Sequence, residues 1–258
     1  MEPDRATAVV IPAFNEASTI HDVVQRTLKQ VSQVIVVDDA SSDGTGALLA
    51  EMPVTLLRHE VNKGKGASLV SGFREALKRN VSAIITLDGD GQHRPEDIPK
   101  FLTKAKEASG VIIIGSRRAE KANQPRLNFT LNRLADFGIS WASGYLIEDS
   151  QSGFRLIPRE VLAKVEATHS RRHSFVFESE FLINAAHAGY RSCAISIPSL
   201  YVGTMQRDTH FRPADAIWIV LMVVSKLLAR GMYPQGLYYY LREQRQARLD
   251  ALRRPRSR

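Results

Sequence analysis

The sequence predicts an α/β protein in which a mainly parallel sheet is flanked by helices. Short, near-continuous apolar runs alternate with amphipathic stretches through the first half of the chain. Such runs are typical of strands that are covered on both faces. The stretches between them are long enough to form the crossover helices that parallel strands require.

The order of the elements follows from these runs. The predicted strands cover residues 8–11, 34–37, 54–57, 83–87 and 111–114, and helices over 18–31, 65–79 and 95–108 lie among them. The second half predicts a helix over 127–146, a turn at 152–155, a helix over 178–188 and a last strand over 194–200. Gly189 follows the second of these helices directly, which is a common signal for a helix end.

Length and composition limit the class of protein. The chain has 258 residues, one cysteine and a formal net charge of +8. A single cysteine excludes an intramolecular disulfide framework and a multi-cysteine metal site. Residues 1–7 are polar, and no run reaches the roughly 18 apolar residues that span a bilayer. We therefore expect neither a signal peptide nor a membrane span, and we expect a cytoplasmic protein.

The C-terminal segment differs from the rest of the chain. An apolar run at 217–224 and an aromatic-rich cluster at 233–241 precede residues 242–258, which hold seven arginines. Two interpretations stay open: helices that pack on the core or form a homodimer, and amphipathic helices in peripheral contact with an anionic membrane on its inner face. Nucleic acid is not an expected partner, because the arginines are not interleaved with stacking aromatics. We predict one unit over residues 1–211 and a C-terminal extension over 212–258.

Polar residues gather where the predicted strands end. In a parallel sheet ligands bind at the carboxyl ends of the strands, so residues 12–16, 38–41, 88–93 and 115–117 should form one site. Asp88 and Asp90 could bind a hard divalent cation that bridges the oxygens of a diphosphate, with Gln92 and His93 nearby. By itself this spacing is weak evidence, since acidic loops with glycine often form plain turns.

An ordered set of motifs strengthens the functional interpretation of the acidic loop. The set comprises VVIPAFNE at 9–16, VVDDASSDGT at 36–45, NKGKGA at 62–67, LDGDGQHRPE at 87–96, GSR at 115–117 and SGFR at 152–155. In this order the chain resembles family 2 glycosyltransferases of the GT-A (nucleotide-diphospho-sugar transferase) fold. The resemblance is to the polyprenyl-phosphate (dolichol-phosphate) mannosyltransferase-like branch in particular, and it spans roughly residues 7–211.

The resemblance implies a donor site for a nucleotide sugar. Positions that hold the base and ribose correspond to Pro12, Phe14, Glu16, Val37 and Asp39. Phe14 stands where this branch often has tyrosine, so the ring face is kept and a hydroxyl is lost. The diphosphate loop corresponds to Asp88, Gly89 and Asp90, and Asp88, Asp90 and Gln92 are the implied ligands of Mg²⁺ or Mn²⁺. Lys65 is counted with the donor-binding residues, although its loop lacks the P-loop pattern.

The resemblance also implies catalytic and acceptor residues. Asp90 would hold the cation that stabilises the leaving diphosphate, and Arg117 matches a basic residue near the transferred sugar. Glu178 stands where members that act on hydroxyls carry a base, and Arg207 lies in a loop that closes over the donor. The family's Ser-Lys pair after that arginine is replaced by Thr209 and His210. Bidentate contacts to an acceptor phosphate are expected from a set of arginines: Arg117, Arg126, Arg133, Arg155 and Arg207.

Three functional hypotheses follow from this pattern. The first is an inverting, metal-dependent transferase that moves a hexose from a UDP- or GDP-sugar to polyprenyl phosphate. The second keeps the donor chemistry and has a soluble or glycan hydroxyl as acceptor, with Glu178 as base. The third is a non-catalytic protein that binds nucleotide sugars. The sequence leaves the donor base, the sugar, the acceptor and the oligomeric state open.

Overall fold

The computed structural model describes residues 4–117, 126–165, 176–198 and 213–253, which form an α/β fold around one mixed sheet. The sheet has seven strands in the order β3-β2-β1-β4-β6-β5-β7. The strands are β1 (Asp4–Ala13), β2 (Val31–Asp38), β3 (Thr55–Arg58), β4 (Ala83–Thr86), β5 (Ile112–Ser116), β6 (Arg155–Pro158) and β7 (Ser192–Ser196). The predicted mainly parallel sheet is therefore confirmed.

One strand runs against the rest. β6 lies between β4 and β5 and pairs antiparallel with both. The sequence predicted a turn at 152–155 and missed this strand. Arg155 interrupts the apolar pattern at its start and Pro158 ends it, so the run is too short and too polar to stand out.

The helices confirm the predicted long segments to within a few residues. The two short helices α2 and α6 were missed, because a helix of one or two turns shows no clear apolar period. A single 3₁₀ turn at Pro95–Asp97 precedes the fourth helix. The helices are α1 (Ile20–Leu28), α2 (Thr45–Leu49), α3 (Lys65–Leu77), α4 (Ile98–Glu107), α5 (Arg126–Ser143), α6 (Arg159–Lys164), α7 (Val176–His187), α8 (Pro213–Leu228) and α9 (Pro234–Arg253).

Apolar cores cover both faces of the sheet. Successive residues of β1 alternate between them, so that Val10 packs with Phe73 and Phe181 on one face and Ile11 packs with Phe101 on the other. This arrangement explains why the strands read as continuous apolar runs. Polar side chains are consequently confined to the ends of the strands, where a ligand site can form.

The C-terminal helices pack on α5 and α7. Val223 and Leu227 of α8 are buried in the core, and Tyr240 of α9 lies edge-on to Phe137 at 5.5 Å between ring centroids. Glu243 of α9 accepts a hydrogen bond from the backbone N–H of Leu146 at 2.9 Å. The division into residues 1–211 and 212–258 stays a prediction.

Within the described part of the chain, no helix is both long enough and apolar enough to cross a bilayer.

The packing of α3 on β1 gives a testable prediction about stability. A Cβ atom at Gly72 would lie 2.3 Å from Val10 Cγ1, and Val10 is fully buried in the sheet. Gly72→Ala should therefore lower the free energy of unfolding by about 1–3 kcal/mol through overpacking, although alanine favours helices. The exposed variant Arg74→Ala on the same helix is the control and should change it by less than about 0.5 kcal/mol. Equal urea midpoints for Gly72→Ala and the wild type would contradict this packing.

Candidate active site

The loops that follow β1 and β2 interlock at the carboxyl edge of the sheet. The backbone N–H of Asn15 donates to Ser41 Oγ at 3.0 Å, and that of Glu16 donates to Thr45 Oγ1 at 2.9 Å. Asn15 has a positive φ of 56°, a left-handed conformation that asparagine tolerates better than most residues. The two loops therefore form one firm wall of the site.

The loop that follows β4 closes against this wall. Thr19 Oγ1 donates to the carbonyl of Gly89 at 2.8 Å. A Cβ atom on Gly89 would lie 3.1 Å from Ile20 Cδ1 and 3.4 Å from the carbonyl oxygen of Pro12, so glycine permits the close approach. Glu16 lies beside the same point, with its Cγ 3.6 Å from that Cβ position. The structure thus brings Pro12, Glu16 and Gly89 together, as expected from the sequence.

Asp39 lies buried beneath the loops. Its Oδ1 lies 2.6 Å from His59 Nδ1 and accepts from the backbone N–H of Lys63, while its Oδ2 accepts from that of Gly64. His59 Nε2 in turn lies 3.0 Å from Ser71 Oγ. Asp39 therefore ties the end of β2 to the segment before α3. The ribose or base contact expected of Asp39 would be made by a carboxylate that already accepts hydrogen bonds from the protein.

His59 was missed by sequence reasoning. Its signal is its position just after the third predicted strand, whose end was not counted with the strand ends that form the predicted site. An open cleft of about 470 Å³ lies there, lined by Ala40, Arg58, His59 and Glu60. Val37, expected to contact the donor, has a fully buried side chain in the core.

A lysine bridges the acidic loop and α7. Lys65 Nζ lies 2.7 Å from Asp88 Oδ1 and 3.2 Å from Glu178 Oε2. Burial alone would lower the pKa of Lys65, but the two carboxylates outweigh it and raise that pKa. Burial likewise would raise the pKa of Asp88, but the neighbouring basic groups, Lys65 first among them, together outweigh burial and lower that pKa. The Lys65–Asp88 pair is therefore fully charged, and Lys65 lies beside the acidic loop, while its role in donor binding stays a prediction.

The remainder of the acidic loop is more open. Asp90 is half-buried and its Oδ1 accepts from the backbone N–H of Gln92, whose side chain is exposed. Across the described ranges, no three His, Cys, Asp or Glu side chains converge on one point. Asp88 and Asp90 are the carboxylates of this loop that a cation could contact.

The surroundings of Asp88 fit such a cation. A Cβ atom on Gly153 would lie 2.4 Å from Asp88 Oδ2, so the space beside this oxygen exists only because residue 153 has no side chain. Glu178 Oε1 is buried and has no hydrogen-bond partner. Carboxylate oxygens of this kind are what Mg²⁺ and Mn²⁺ prefer.

His93 lies beneath the acidic loop. It is 2% exposed, its ring centroid lies 5.4 Å from that of Phe154, and its Nδ1 has no hydrogen-bond partner. Burial lowers the pKa of His93 to about 4, against a smaller opposing effect of Asp88. The imidazole is therefore neutral near pH 7 and supports the loop by packing.

Arg155 has a structural position that the sequence did not predict. It is 2% exposed, and its guanidinium donates to the carbonyls of Ser152, Glu178 and Ser150 at 2.8, 2.7 and 2.6 Å. The sequence pointed to an acceptor-phosphate contact. Because its donors are used by buried carbonyls, Arg155 fixes the 150–152 turn and the start of α7 instead.

Arg117 is fixed by an acid that the sequence analysis did not single out. The backbone N–H and Nε of Arg117 donate to Asp149 Oδ2, and its Nη2 donates to Oδ1. Asp149 begins a turn rich in serine and glycine before an apolar run, and this position could have marked it. Arg117 contributes to lowering the pKa of Asp88, which places it near the same edge.

Some expected residues fall outside what the structure describes. Arg207, with Thr209 and His210, lies outside the described residues. Arg126 and Arg133 lie on α5, but their side chains are outside the described part. Phe14 is described and half-buried next to Asn15.

The fold and the site define the class of protein. A mainly parallel sheet that gathers interlocked polar loops and an Asp-Gly-Asp loop at its carboxyl edge has the arrangement of a nucleotide-diphospho-sugar transferase of the GT-A type. Residues 8–166 match the model of the glycosyl transferase family 2, and the chain belongs to this family. It is therefore a glycosyltransferase.

Relatives place it in the branch expected from the motifs. It is 31% identical to a polyprenol monophosphomannose synthase of Mycolicibacterium smegmatis over 76% of this chain and 78% of that protein. It is 28% identical to a UDP-N-acetylglucosamine–dolichyl-phosphate N-acetylglucosaminyltransferase of Methanococcus voltae over 86% and 97%. An undecaprenyl-phosphate mannosyltransferase of Micrococcus luteus is 29% identical over 75% and 82%.

Solved structures confirm the fold. The glucosyl-3-phosphoglycerate synthase of Mycobacterium tuberculosis, in complex with Mn²⁺, UDP and phosphoglyceric acid, superimposes with a TM-score of 0.60 at 18% identity. The match covers 88% of this chain and 78% of that one.

Burial of His93 predicts a specific pH dependence of stability. The folded-state pKa of about 4 lies below the ordinary 6.5, so between these values the unfolded chain binds a proton that the folded chain does not. Stability should therefore fall as the pH falls, by about 2 kcal/mol from this residue between pH 7 and pH 5. His93→Gln should remove that part of the slope in urea unfolding, whereas His21→Gln, at an exposed position on α1, should keep it. Equal slopes for His93→Gln and the wild type would contradict a neutral, buried imidazole.

Proposed function

We propose that the protein transfers a hexose from a UDP- or GDP-sugar to polyprenyl phosphate, with inversion at the anomeric carbon. The observation that carries the proposal is the Asp88–Asp90 loop, which accepts a hydrogen bond from Thr19 after β1 and is joined through Lys65 to Glu178 near the start of α7. The names of the relatives, which act on polyprenol, dolichyl and undecaprenyl phosphates, support the acceptor.

At the donor end, the loops after β1 and β2 would bind the nucleoside. Pro12, Phe14 and Glu16 would contact the base and ribose, together with the main chain near Val37 and Asp39. Gly89 would allow the diphosphate to approach the backbone closely. These assignments rest on the motif positions and on the convergence of Pro12, Glu16 and Gly89.

Asp88 and Asp90 would hold Mg²⁺ or Mn²⁺, with Gln92 as a further ligand. The Mn²⁺ and UDP bound by the mycobacterial synthase support this proposal. Bound there, the cation supplies positive charge against the charge that develops on the leaving diphosphate.

At the acceptor end, a lipid monophosphate needs no general base, because it is already ionised near neutral pH. Arg117 is the described arginine that we assign to the acceptor phosphate or the transferred sugar, and Arg207, Arg126 and Arg133 remain assigned to the acceptor by motif position alone. In the reaction, an acceptor phosphate oxygen attacks the anomeric carbon while the bond to the diphosphate breaks on the opposite side. Asp149 would hold the Arg117 guanidinium in place for this step.

An apolar face of α8 supports a lipid acceptor. Ile217, Leu221, Val224 and Leu228 are spaced along one side of the helix and are 42–62% exposed, while Val223 on the other side is buried. Lys226, the charged side chain within 217–228, is paired with Glu180 at 3.0 Å on α7. An uncharged apolar face of this kind suits peripheral contact with a bilayer.

The following helix, α9, carries exposed aromatic and basic residues. Tyr238 and Tyr239 of α9 are 62% and 47% exposed, and exposed Arg242 and Arg245 follow on the same helix. Tyrosines favour the membrane interface, and arginines favour anionic lipid. We therefore propose peripheral association with an anionic membrane on its cytoplasmic side.

A second candidate function has one observation in its favour. Glu178 Oε1 is buried without a hydrogen-bond partner near the acidic loop, so a hydroxyl of a soluble or glycan acceptor could donate to it. Glu178 would then act as the base that accepts the hydroxyl proton.

The first experiment is sugar transfer from labelled UDP- and GDP-sugars with Mg²⁺ or Mn²⁺, with and without polyprenyl phosphate. We expect label in the extracted lipid, and Asp90→Asn should lower the rate by at least about 100-fold, since charge stabilisation at the leaving group is lost. Asp22→Asn, at an exposed acid of α1, is the matched control and should retain activity.

The other outcomes of this assay separate the hypotheses. Donor turnover without labelled lipid would contradict the lipid acceptor and favour the hydroxyl acceptor, with Glu178→Gln as the next variant. Binding of a donor without turnover under any condition would favour the non-catalytic hypothesis.

The membrane contact predicts a localised effect of charge. Leu221→Glu combined with Val224→Glu should strongly reduce co-sedimentation with vesicles of phosphatidylcholine and phosphatidylglycerol, because carboxylates oppose insertion of the α8 face. Leu48→Glu combined with Val61→Glu changes two exposed apolar residues elsewhere and is the control. Equal sedimentation of both double variants would argue against contact through α8.

A further inference from the structure

Lys65 occupies the carboxylate that the proposed cation needs. Its Nζ lies 2.7 Å from Asp88 Oδ1, and the two side chains are 21% and 23% exposed. An ammonium group and a divalent cation cannot share one carboxylate oxygen without strong repulsion. We infer that Lys65 is an internal competitor of the divalent cation, which moves from Asp88 to Glu178 when the cation binds. This inference rests on the metal site of the proposed function.

The space that Gly153 leaves beside the other oxygen of Asp88 lies next to the ammonium group as well. A Cβ on Gly153 would lie 2.4 Å from Asp88 Oδ2 and 2.9 Å from Lys65 Nζ, so the backbone of residue 153 passes directly beside the pair. A cation that is to be held by both Asp88 and Asp90 therefore meets the ammonium group at close range.

Glu178 is prepared to receive the ammonium group. Its Oε2 already lies 3.2 Å from Lys65 Nζ, and its Oε1 is buried without a hydrogen-bond partner. Arg155 Nη1 donates to the carbonyl of Glu178 at 2.7 Å and fixes the backbone there. A small rotation of the Lys65 side chain would give Glu178 a closer partner and free Asp88.

The backbone of Lys65 is fixed as well. It is the first residue of α3, and the backbone N–H of Gly64 before it donates to Asp39 Oδ2 at 2.6 Å. Only the flexible lysine side chain has to move between the two carboxylates. The movement transfers a positive charge from the donor loop to the acceptor side as the cation arrives, so Lys65 acts as a positioning residue that couples the two.

The charge balance agrees with this exchange. One ammonium group faces two carboxylates at 2.7 and 3.2 Å, so these three side chains together carry one net negative charge. This negative charge attracts a divalent cation. When no cation is bound, the ammonium group of Lys65 balances part of the charge of the two carboxylates.

The test measures Mn²⁺ binding without nucleotide, by the electron paramagnetic resonance signal of free Mn²⁺, on the full chain. Lys65→Met should bind Mn²⁺ about tenfold more tightly than the wild type, because the competitor is removed. Glu178→Gln should bind it several-fold more weakly, because the receiving carboxylate is lost and Lys65 stays on Asp88. Sugar transfer should fall in both variants, although their Mn²⁺ affinities shift in opposite directions. A merely structural role of Lys65 and Glu178 would not produce opposite shifts in Mn²⁺ affinity.

Matched variants separate competition from a general charge effect. Lys63→Met removes the same charge two positions away and should leave the affinity close to that of the wild type. Adding Asp88→Asn to Lys65→Met should abolish the gain. If Lys65→Met fails to fold, as seen by circular dichroism, Lys65→Arg together with Glu178→Gln decides: the arginine variant should keep the weak binding of the wild type.

Unchanged or weaker Mn²⁺ binding by Lys65→Met would overturn the inference, as would an equal gain in Lys63→Met. If no form binds Mn²⁺ even with UDP present, the inference is also wrong. The transfer assay is independent of these measurements, so a failure of the proposed lipid acceptor would be recognised separately.

Discussion

A buried guanidinium holds the centre of this molecule together. Burying a charge is costly unless its hydrogen-bonding groups are satisfied, and Arg155 meets this condition through the carbonyls of Ser150, Ser152 and Glu178. Because Arg155 begins β6, the same contacts set the antiparallel strand between β4 and β5 and anchor the start of α7. Gly153 and Glu178 are thereby brought beside Asp88, and the whole acidic site depends on this arrangement.

Much of the fold follows from burial on both faces of the sheet. The parallel strands are recognisable in the sequence because nearly every residue in them is apolar. The long helices are recognisable because their apolar residues recur with the helical period over several turns. β6 escapes detection because its first residue is an arginine and its last a proline. The arginine that hides the antiparallel strand β6 from sequence analysis is the same residue that holds the 150–152 turn and the start of α7 in place.

The candidate site, like the fold, was only partly predictable from the sequence. Chain order and strand ends located Pro12, Asp88 and Asp90, because parallel strands bring their carboxyl ends to one edge. Which side chains pair cannot be read from spacing: Lys65 and Glu178 are far apart in sequence, and their contact depends on how α3 and α7 pack. The same limit applies to Arg155, whose charge suggested a phosphate contact until its carbonyl partners and burial were known.

The most direct test of the central claim is the anomalous scattering of Mn²⁺ in crystals grown with a nucleoside diphosphate. The account requires a manganese peak at the Asp88–Asp90 loop, with the diphosphate beside Gly89 and the nucleoside between the loops that follow β1 and β2. A nucleotide and manganese bound anywhere other than this carboxyl edge of the sheet would contradict it.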